Sequence, residues 1–221
     1  MRDTLLSGTP VEIARPDSVN PSASGAVLIP DIGGLRPLFD DHAATVAERL
    51  GAPVAAIEPW PGRETLTLEE RLESVSTIAD DDLLRDAVLA ADLVGTARVG
   101  VLGFCMGGMF TLKASGTGRF HRAVAFYGMV RIPERWSAPG QREPLGYLDG
   151  PDACPTLAII GTADPWTPPA DVDALVERET VTVVRYDGAD HGFVHDPDRP
   201  AHRPDDAVDA WDRCIAFLSA G

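Results

Sequence analysis

The sequence predicts an α/β fold, a mostly parallel, doubly wound sheet with helices on both faces. Three observations carry that expectation. Short apolar runs of strand length alternate with longer segments of helical periodicity along the chain. One such run, Val99-Gly100-Val101-Leu102, passes through a glycine-rich turn straight into a helical pattern. The 221 residues, 44% of them hydrophobic, are enough for one domain with a well-buried core. A single domain over residues 1–221 is expected, without repeats or low-complexity tracts.

Taken in order, a short opening segment around Val11-Glu12-Ile13 precedes Gly25–Ile29, a run apolar enough to be a buried strand. It ends in the turn-rich Pro30-Asp31-Ile32-Gly33-Gly34. From Pro37 to Leu50 the period becomes helical: Leu38, Phe39, His42, Val46 and Leu50 share a face, and Gly51 supplies the stop. Val54–Ile57 is the next strand, running into Glu58-Pro59-Trp60-Pro61-Gly62. The charged stretch from Arg63 to Asp82 has no clean period and is read as part helix under a loop. Asp82 to Val94 is an amphipathic helix. Further on, Ala123–Tyr127, Thr156–Ile160 and Val181–Tyr186 are strands, with helices over Ala170–Glu179 and Pro204–Ser219. The Pro- and Gly-rich connection from Gly128 to Pro151 is too short for a large cap domain, so an accessible site is expected. In such a sheet, ligands bind at the carboxyl ends of the strands.

A net charge of −15 argues against nucleic acid or an anionic membrane as partner and favours solubility. No stretch has the length and apolarity of a signal peptide or a membrane span. The three cysteines, Cys105, Cys154 and Cys214, are odd in number and widely spaced, which fits neither a disulfide framework nor a zinc site. A cytoplasmic monomer is the expectation.

The chemistry centres on Gly103-Phe104-Cys105-Met106-Gly107-Gly108. Apolar strand, tight glycine turn and helix together fit the nucleophile elbow of an α/β-hydrolase fold, with cysteine in place of serine. Flanking glycines are needed there because a Cβ would collide with the neighbouring strand and helix. The free amides of the first helical turn favour a thiolate or an oxyanion. A buried structural cysteine is the alternative reading of the same pattern. An elbow cysteine needs a base and a carboxylate to orient it, in the chain order nucleophile, acid, histidine. Cys105, then Asp164 just past a late strand, then His191 in the last loop before the terminal helix satisfy that order. His195 is the rival to His191, and Asp187 and Asp190 are the rivals to Asp164. For the oxyanion, the backbone N–H of Met106 and that of Ile32, in the loop after an early strand, are the expected donors. No metal or organic cofactor is required.

These motifs resemble the dienelactone hydrolase family, the carboxymethylenebutenolidases and their relatives, from about Gly25 to the C-terminus. The carriers are the Cys105 elbow, Gly161-Thr162-Ala163-Asp164-Pro165, His191-Gly192-Phe193 and Asp31-Ile32-Gly33-Gly34. The resemblance implies a Cys105–His191–Asp164 triad that cleaves a lactone or small ester through a thioester acyl-enzyme. It also implies a role for Asp31, standing where the family has a glutamate that helps release the thiolate. The shorter aspartate either keeps that role or only fixes the oxyanion loop. Members acting on dienelactone carry a carboxylate-binding arginine four residues after the histidine, and that place is His195 here. Arg71 is a loose match to a second such arginine and is read as a solvated helix face. Trp60, Tyr127, Trp136, Trp166 and His195 lie near strand ends, as pocket lining or as core. The other functional readings are an esterase or thioesterase for small neutral substrates, and a non-hydrolytic, thiol-based redox or ligand-binding relative.

Overall fold

The computed structural model describes residues 1–220. Eight strands form one sheet: β1 (Arg2–Thr4), β2 (Pro10–Ala14), β3 (Gly25–Ile29), β4 (Val54–Ile57), β5 (Val99–Phe104), β6 (Ala123–Phe126), β7 (Thr156–Gly161) and β8 (Val181–Tyr186). Their spatial order is β1-β2-β4-β3-β5-β6-β7-β8. The first two strands pair antiparallel at one edge, and β4 through β8 run parallel. The chain moves outward from β3 to β4, then returns to place β5 on the other side of β3. The loops leaving β3 and β5 therefore diverge at their carboxyl ends and open a crevice, the position where doubly wound sheets bind ligands.

The central strands are buried on both faces, as a parallel sheet covered by helices requires. Their side chains alternate between two cores. Val27, Ile29 and Val101 face one side, with helices α3 (Asp80–Val94) and α4 (Met106–Ala114). Leu28, Leu102 and Phe104 face the other, with α1 (Pro37–Leu50) and α7 (Pro204–Ser219). Helix α1 begins with proline in its first turn and stops at Gly51, whose φ of 67° closes the end.

The charged stretch from Arg63 to Asp82 holds more order than its composition suggests. Helix α2 (Leu68–Ser74) starts on a capping box: Thr67 accepts from the Glu70 amide while the Glu70 carboxylate accepts from the Thr67 amide. Helix α3 starts at Asp80, two residues before the expected position, because Asp80, Asp81 and Asp82 all favour a helix N-terminus. Between Gly128 and Pro151 the chain makes a 3₁₀ turn at Glu134–Trp136 and the short helix α5 (Pro144–Leu148). That connection is tied down by a buried cluster: Lys113 Nζ donates to Asp80 Oδ1 at 2.6 Å, and Asp80 Oδ2 accepts from the Arg142 amide at 2.7 Å and from Tyr147 at 3.1 Å. Helix α6 (Pro169–Val176) ends three residues earlier than its sequence pattern suggests.

One of the tightest approaches in the fold lies where α4 starts. A Cβ on Gly107 would stand 2.2 Å from the carbonyl oxygens of both Ile29 and Pro30. Gly107→Ala is therefore expected to force the β3 turn and α4 apart and destabilise the protein by about 1–3 kcal/mol, measurable by urea denaturation. A variant as stable as the parent would show that the two segments have room to separate.

Candidate active site

Cys105 sits between β5 and α4 with φ 55° and ψ −120°, one of two non-glycine residues at positive φ among the described residues. That conformation costs on the order of 1–3 kcal/mol and persists only where its surroundings over-determine it. Here the Cys105 amide donates to the Phe126 carbonyl at 3.0 Å, and the Cys105 carbonyl accepts from the Met109 amide at 3.0 Å. The half-buried side chain opens into a cavity of about 500 Å³ at the switch point of the sheet.

His191, in the loop after β8, lines the same cavity. Its Nδ1–H donates to Asp164 Oδ2 at 2.8 Å, and Asp164 Oδ1 accepts from the Trp166 amide at 2.8 Å. The rival aspartates are engaged elsewhere. Asp190 accepts from the His191 backbone amide, and Asp187 accepts from Thr162. The second ring nitrogen of His191 is buried and has no hydrogen-bond partner among the described residues. Burial opposes a charge on this ring, but the bond to Asp164 and the adjacent Cys105 outweigh it and push the pKa up to about 10.

The Ile32 amide belongs to the turn after β3, which is braced from behind. Trp60 Nε1–H and Arg71 Nη1 donate to the Ile32 carbonyl at 2.9 and 3.3 Å, and Glu58 accepts from the amides of Leu35 and Trp60. Neither the Ile32 nor the Met106 amide donates to any acceptor among the described residues. Arg71 is thus a buried brace, correcting its reading as a solvated helix face.

Asp31 is fully engaged. Its carboxylate accepts from the Gly33 amide at 2.8 Å, from Arg36 Nη1 and Nη2 at 2.6 and 3.0 Å, and from His195 Nε2 at 2.9 Å. Burial alone would raise its pKa, but the bonds from His195 and Arg36 hold it below the usual carboxylate range. No hydrogen bond joins it to Cys105. His195 is itself completely buried, with its other ring nitrogen bonded to the Tyr127 hydroxyl.

Trp60, Tyr127 and His195 therefore do not line the cavity beside Cys105. Each turns its polar atom inward to a backbone carbonyl, an imidazole or a carboxylate and forms the layer behind the site. Trp166 does line it, stacked on Trp136 with ring centroids 5.5 Å apart, and Leu68 and Leu72 of α2 extend this apolar wall. Two arginines that the sequence did not single out, Arg36 and Arg199, also line the cavity. Arg36 is paired with Asp31, whereas the Arg199 guanidinium has no ion-pair or hydrogen-bond partner among the described residues. No group of three or more His, Cys, Asp or Glu side chains among those residues could hold a metal ion, and no helix is long and apolar enough to cross a membrane.

The raised His191 pKa has a direct test. Because the folded-state value lies above the 6.5 of ordinary histidine, this site stabilises the fold fully below about pH 6.5 and loses that contribution as the pH rises through about 10. An NMR titration of the His191 ring should show a midpoint near 10, and Asp164→Asn should lower it. An unshifted midpoint in that variant would mean that Asp164 does not hold the proton.

A sequence model of the dienelactone hydrolase family matches residues 62–220. A carboxymethylenebutenolidase of Rhodococcus opacus is 28% identical over 226 residues, covering 95% of this chain and 86% of the relative. A provisionally assigned 2-oxo-3-(5-oxofuran-2-ylidene)propanoate lactonase from a Bradyrhizobium species is also 28% identical, over 93% of this chain and 87% of its own length. Among solved structures, a provisionally assigned dienelactone hydrolase of Klebsiella pneumoniae superposes with a TM-score of 0.87 at 23% identity, covering 100% of this chain and 99% of its own. The hyperthermophilic esterase of Pyrobaculum calidifontis shares the fold at a TM-score of 0.64 and 16% identity, over 99% of this chain and 84% of that one. The chain belongs to the dienelactone hydrolase family.

Proposed function

We propose that this hydrolase cleaves a lactone or small ester with Cys105 as nucleophile, His191 as its acid and base, and Asp164 orienting the ring. The supporting observation is the convergence on one cavity of a strained Cys105, a His191 held by Asp164, and Ile32, whose amide is unpaired among the described residues, as is that of Met106 next to Cys105.

In this reading His191 already carries the Cys105 proton on Nε2 at neutral pH, as its raised pKa requires, and the thiolate attacks the carbonyl carbon. The tetrahedral oxyanion is held by the Ile32 and Met106 amides. Collapse expels the ester oxygen, which takes the proton from His191, and leaves a thioester on Cys105. In a lactone the expelled oxygen stays tethered to the acyl group. Water, deprotonated by His191, then attacks the thioester, and the thiol is regenerated with release of the acid. Strong bonding of His191 to Asp164 favours the imidazolium that both half-reactions pass through.

The cavity adds a preference for an anionic substrate. Arg199 is a cation without a partner among the described residues in a protein of net charge −15, and it lines the cavity with Trp136 and Trp166. A carboxylate on the substrate would pair with it, supplying the charge that the sequence lacks at position 195. The names of the Rhodococcus and Bradyrhizobium relatives point to lactone substrates.

Steady-state hydrolysis of dienelactone and of a neutral aryl ester separates these elements. Cys105→Ala should abolish turnover of both. Arg199→Met should raise KM for dienelactone about 10–100-fold, the range of a lost charge-assisted hydrogen bond, and leave the neutral ester within about twofold of the parent. Equal effects on both substrates would remove Arg199 from carboxylate recognition. Turnover that persists in Cys105→Ala would overturn the nucleophile assignment, and a single modification of Cys105 without turnover would favour a thiol sensor.

A further inference from the structure

Behind the cavity lies a second hydroxyl–imidazole–carboxylate chain. Tyr127, directly after β6, contacts His195 Nδ1 through its hydroxyl, and His195 Nε2 contacts Asp31 Oδ2 at 2.9 Å. The proton positions follow from the surroundings. Asp31 is ionised and can only accept, so His195 Nε2 carries the hydrogen. Burial keeps His195 neutral, which leaves Nδ1 as an acceptor. Burial, together with the nearby Asp31 and Cys105, holds the Tyr127 phenol protonated, so its O–H donates. The chain therefore runs one way, Tyr127 to His195 to Asp31.

Both ends of this chain meet the candidate active site. At one end, Asp31 closes the oxyanion turn, accepting from Gly33 and from Arg36, which also bonds the Gly34 carbonyl at 3.1 Å. At the other, the Tyr127 ring packs edge-on against the His191 ring, 5.2 Å between centroids and 66° between planes. His195 is boxed in by Phe39 and Phe104, with centroids 5.8 and 5.1 Å away, and its carbonyl accepts from His42 Nε2 at 2.6 Å. Tyr127 stands at φ 39°, the second positive-φ non-glycine residue, where its phenol meets His195. A strained backbone beside a fully satisfied buried polar chain marks a position fixed by its surroundings.

Granting the hydrolytic role of Cys105 and His191, we propose that Tyr127, His195 and Asp31 form a buried hydrogen-bonded strut that sets the oxyanion turn relative to His191, making Tyr127 and His195 positioning residues for the reaction. The neutral imidazole suits this task because it donates on one edge and accepts on the other. A guanidinium in its place would offer no acceptor to Tyr127.

The test compares Tyr127→Phe, His195→Gln and His195→Leu with the parent. Nitrogen-15 NMR of the histidine rings should find His195 neutral and protonated on Nε2 at pH 7, and Tyr127→Phe should move its Nδ1 resonance. With a neutral aryl ester, Tyr127→Phe should lower kcat about tenfold with KM within twofold, since small misplacements of reacting groups act on the transition state. His195→Gln, which keeps a donor for Asp31, should lose less than His195→Leu. Alkylation by iodoacetamide gives a readout that needs no ester turnover. Cys154 and Cys214 are buried and their thiols pushed up, Cys154 to about 11, so the reaction reports Cys105. Tyr127→Phe should change that rate more than threefold. Variants that melt earlier yet keep kcat and alkylation within twofold of the parent would overturn the strut as a positioning device. A His195 protonated on Nδ1 would overturn it as well. A parent without ester turnover would instead defeat the hydrolytic reading, while the NMR and alkylation results still decide the strut.

Discussion

The site depends on how closely the first turn of α4 approaches the end of β3. Only a residue without a side chain fits at position 107, against the carbonyls of Ile29 and Pro30. That approach sets the start of α4, which carries the Met106 amide, against the end of β3, which leads into the Ile32 turn. The same crowding recurs around the elbow: a Cβ on Gly103 would stand 2.4 Å from the Gly107 carbonyl oxygen, and one on Gly108 would stand 2.7 Å from that of Phe126. With its neighbours held this tightly, Cys105 stays at a φ that an isolated residue would leave. The large burial of β5 and α4 offsets that strain.

A second consequence is electrostatic. The turn after β3 is held by two buried carboxylates, its own Asp31 and Glu58 from the end of β4, and both accept hydrogen bonds from within the protein. Buried carboxylates are tolerable only when paired in this way. Asp31, with His195 and Arg36 on it, is bound to the scaffold and makes no hydrogen bond to Cys105. Of the two possibilities the sequence left open for Asp31, the observed bonds favour a part in holding the turn. The unpaired guanidinium of Arg199 then stands out on the cavity wall of an acidic protein.

Much of this was legible in the sequence because the signals were local. Strand runs, the helix stop at Gly51 and the strand–turn–helix at Cys105 each depend on a few adjacent residues, and the expected Pro204–Ser219 helix is the one observed. Cys105, Asp164 and His191 followed from their order along the chain, and the fold brings them together. The capping box at Thr67 and Glu70 was equally local and passed unread among the charges around it. What the sequence left open was side-chain direction. Trp60, Tyr127, His195 and Arg71 each turn inward to brace the site, and nothing in a short window says which way such a side chain faces. Arg199 became visible only in three dimensions, because its loop folds back until the guanidinium lies over Gly192, where a Cβ would stand 2.8 Å from Nη1.

The covalent intermediate is the central claim, and it can be caught. The protein would be mixed with a slowly deacylating aryl ester, quenched in acid within the first turnovers, digested and examined by mass spectrometry. The account predicts that the peptide carrying Cys105 gains the mass of the acyl group, that hydroxylamine removes it, and that it decays at the rate of steady-state turnover. Continued turnover with an unmodified Cys105, or acyl mass on another residue that decays at the turnover rate, would contradict it.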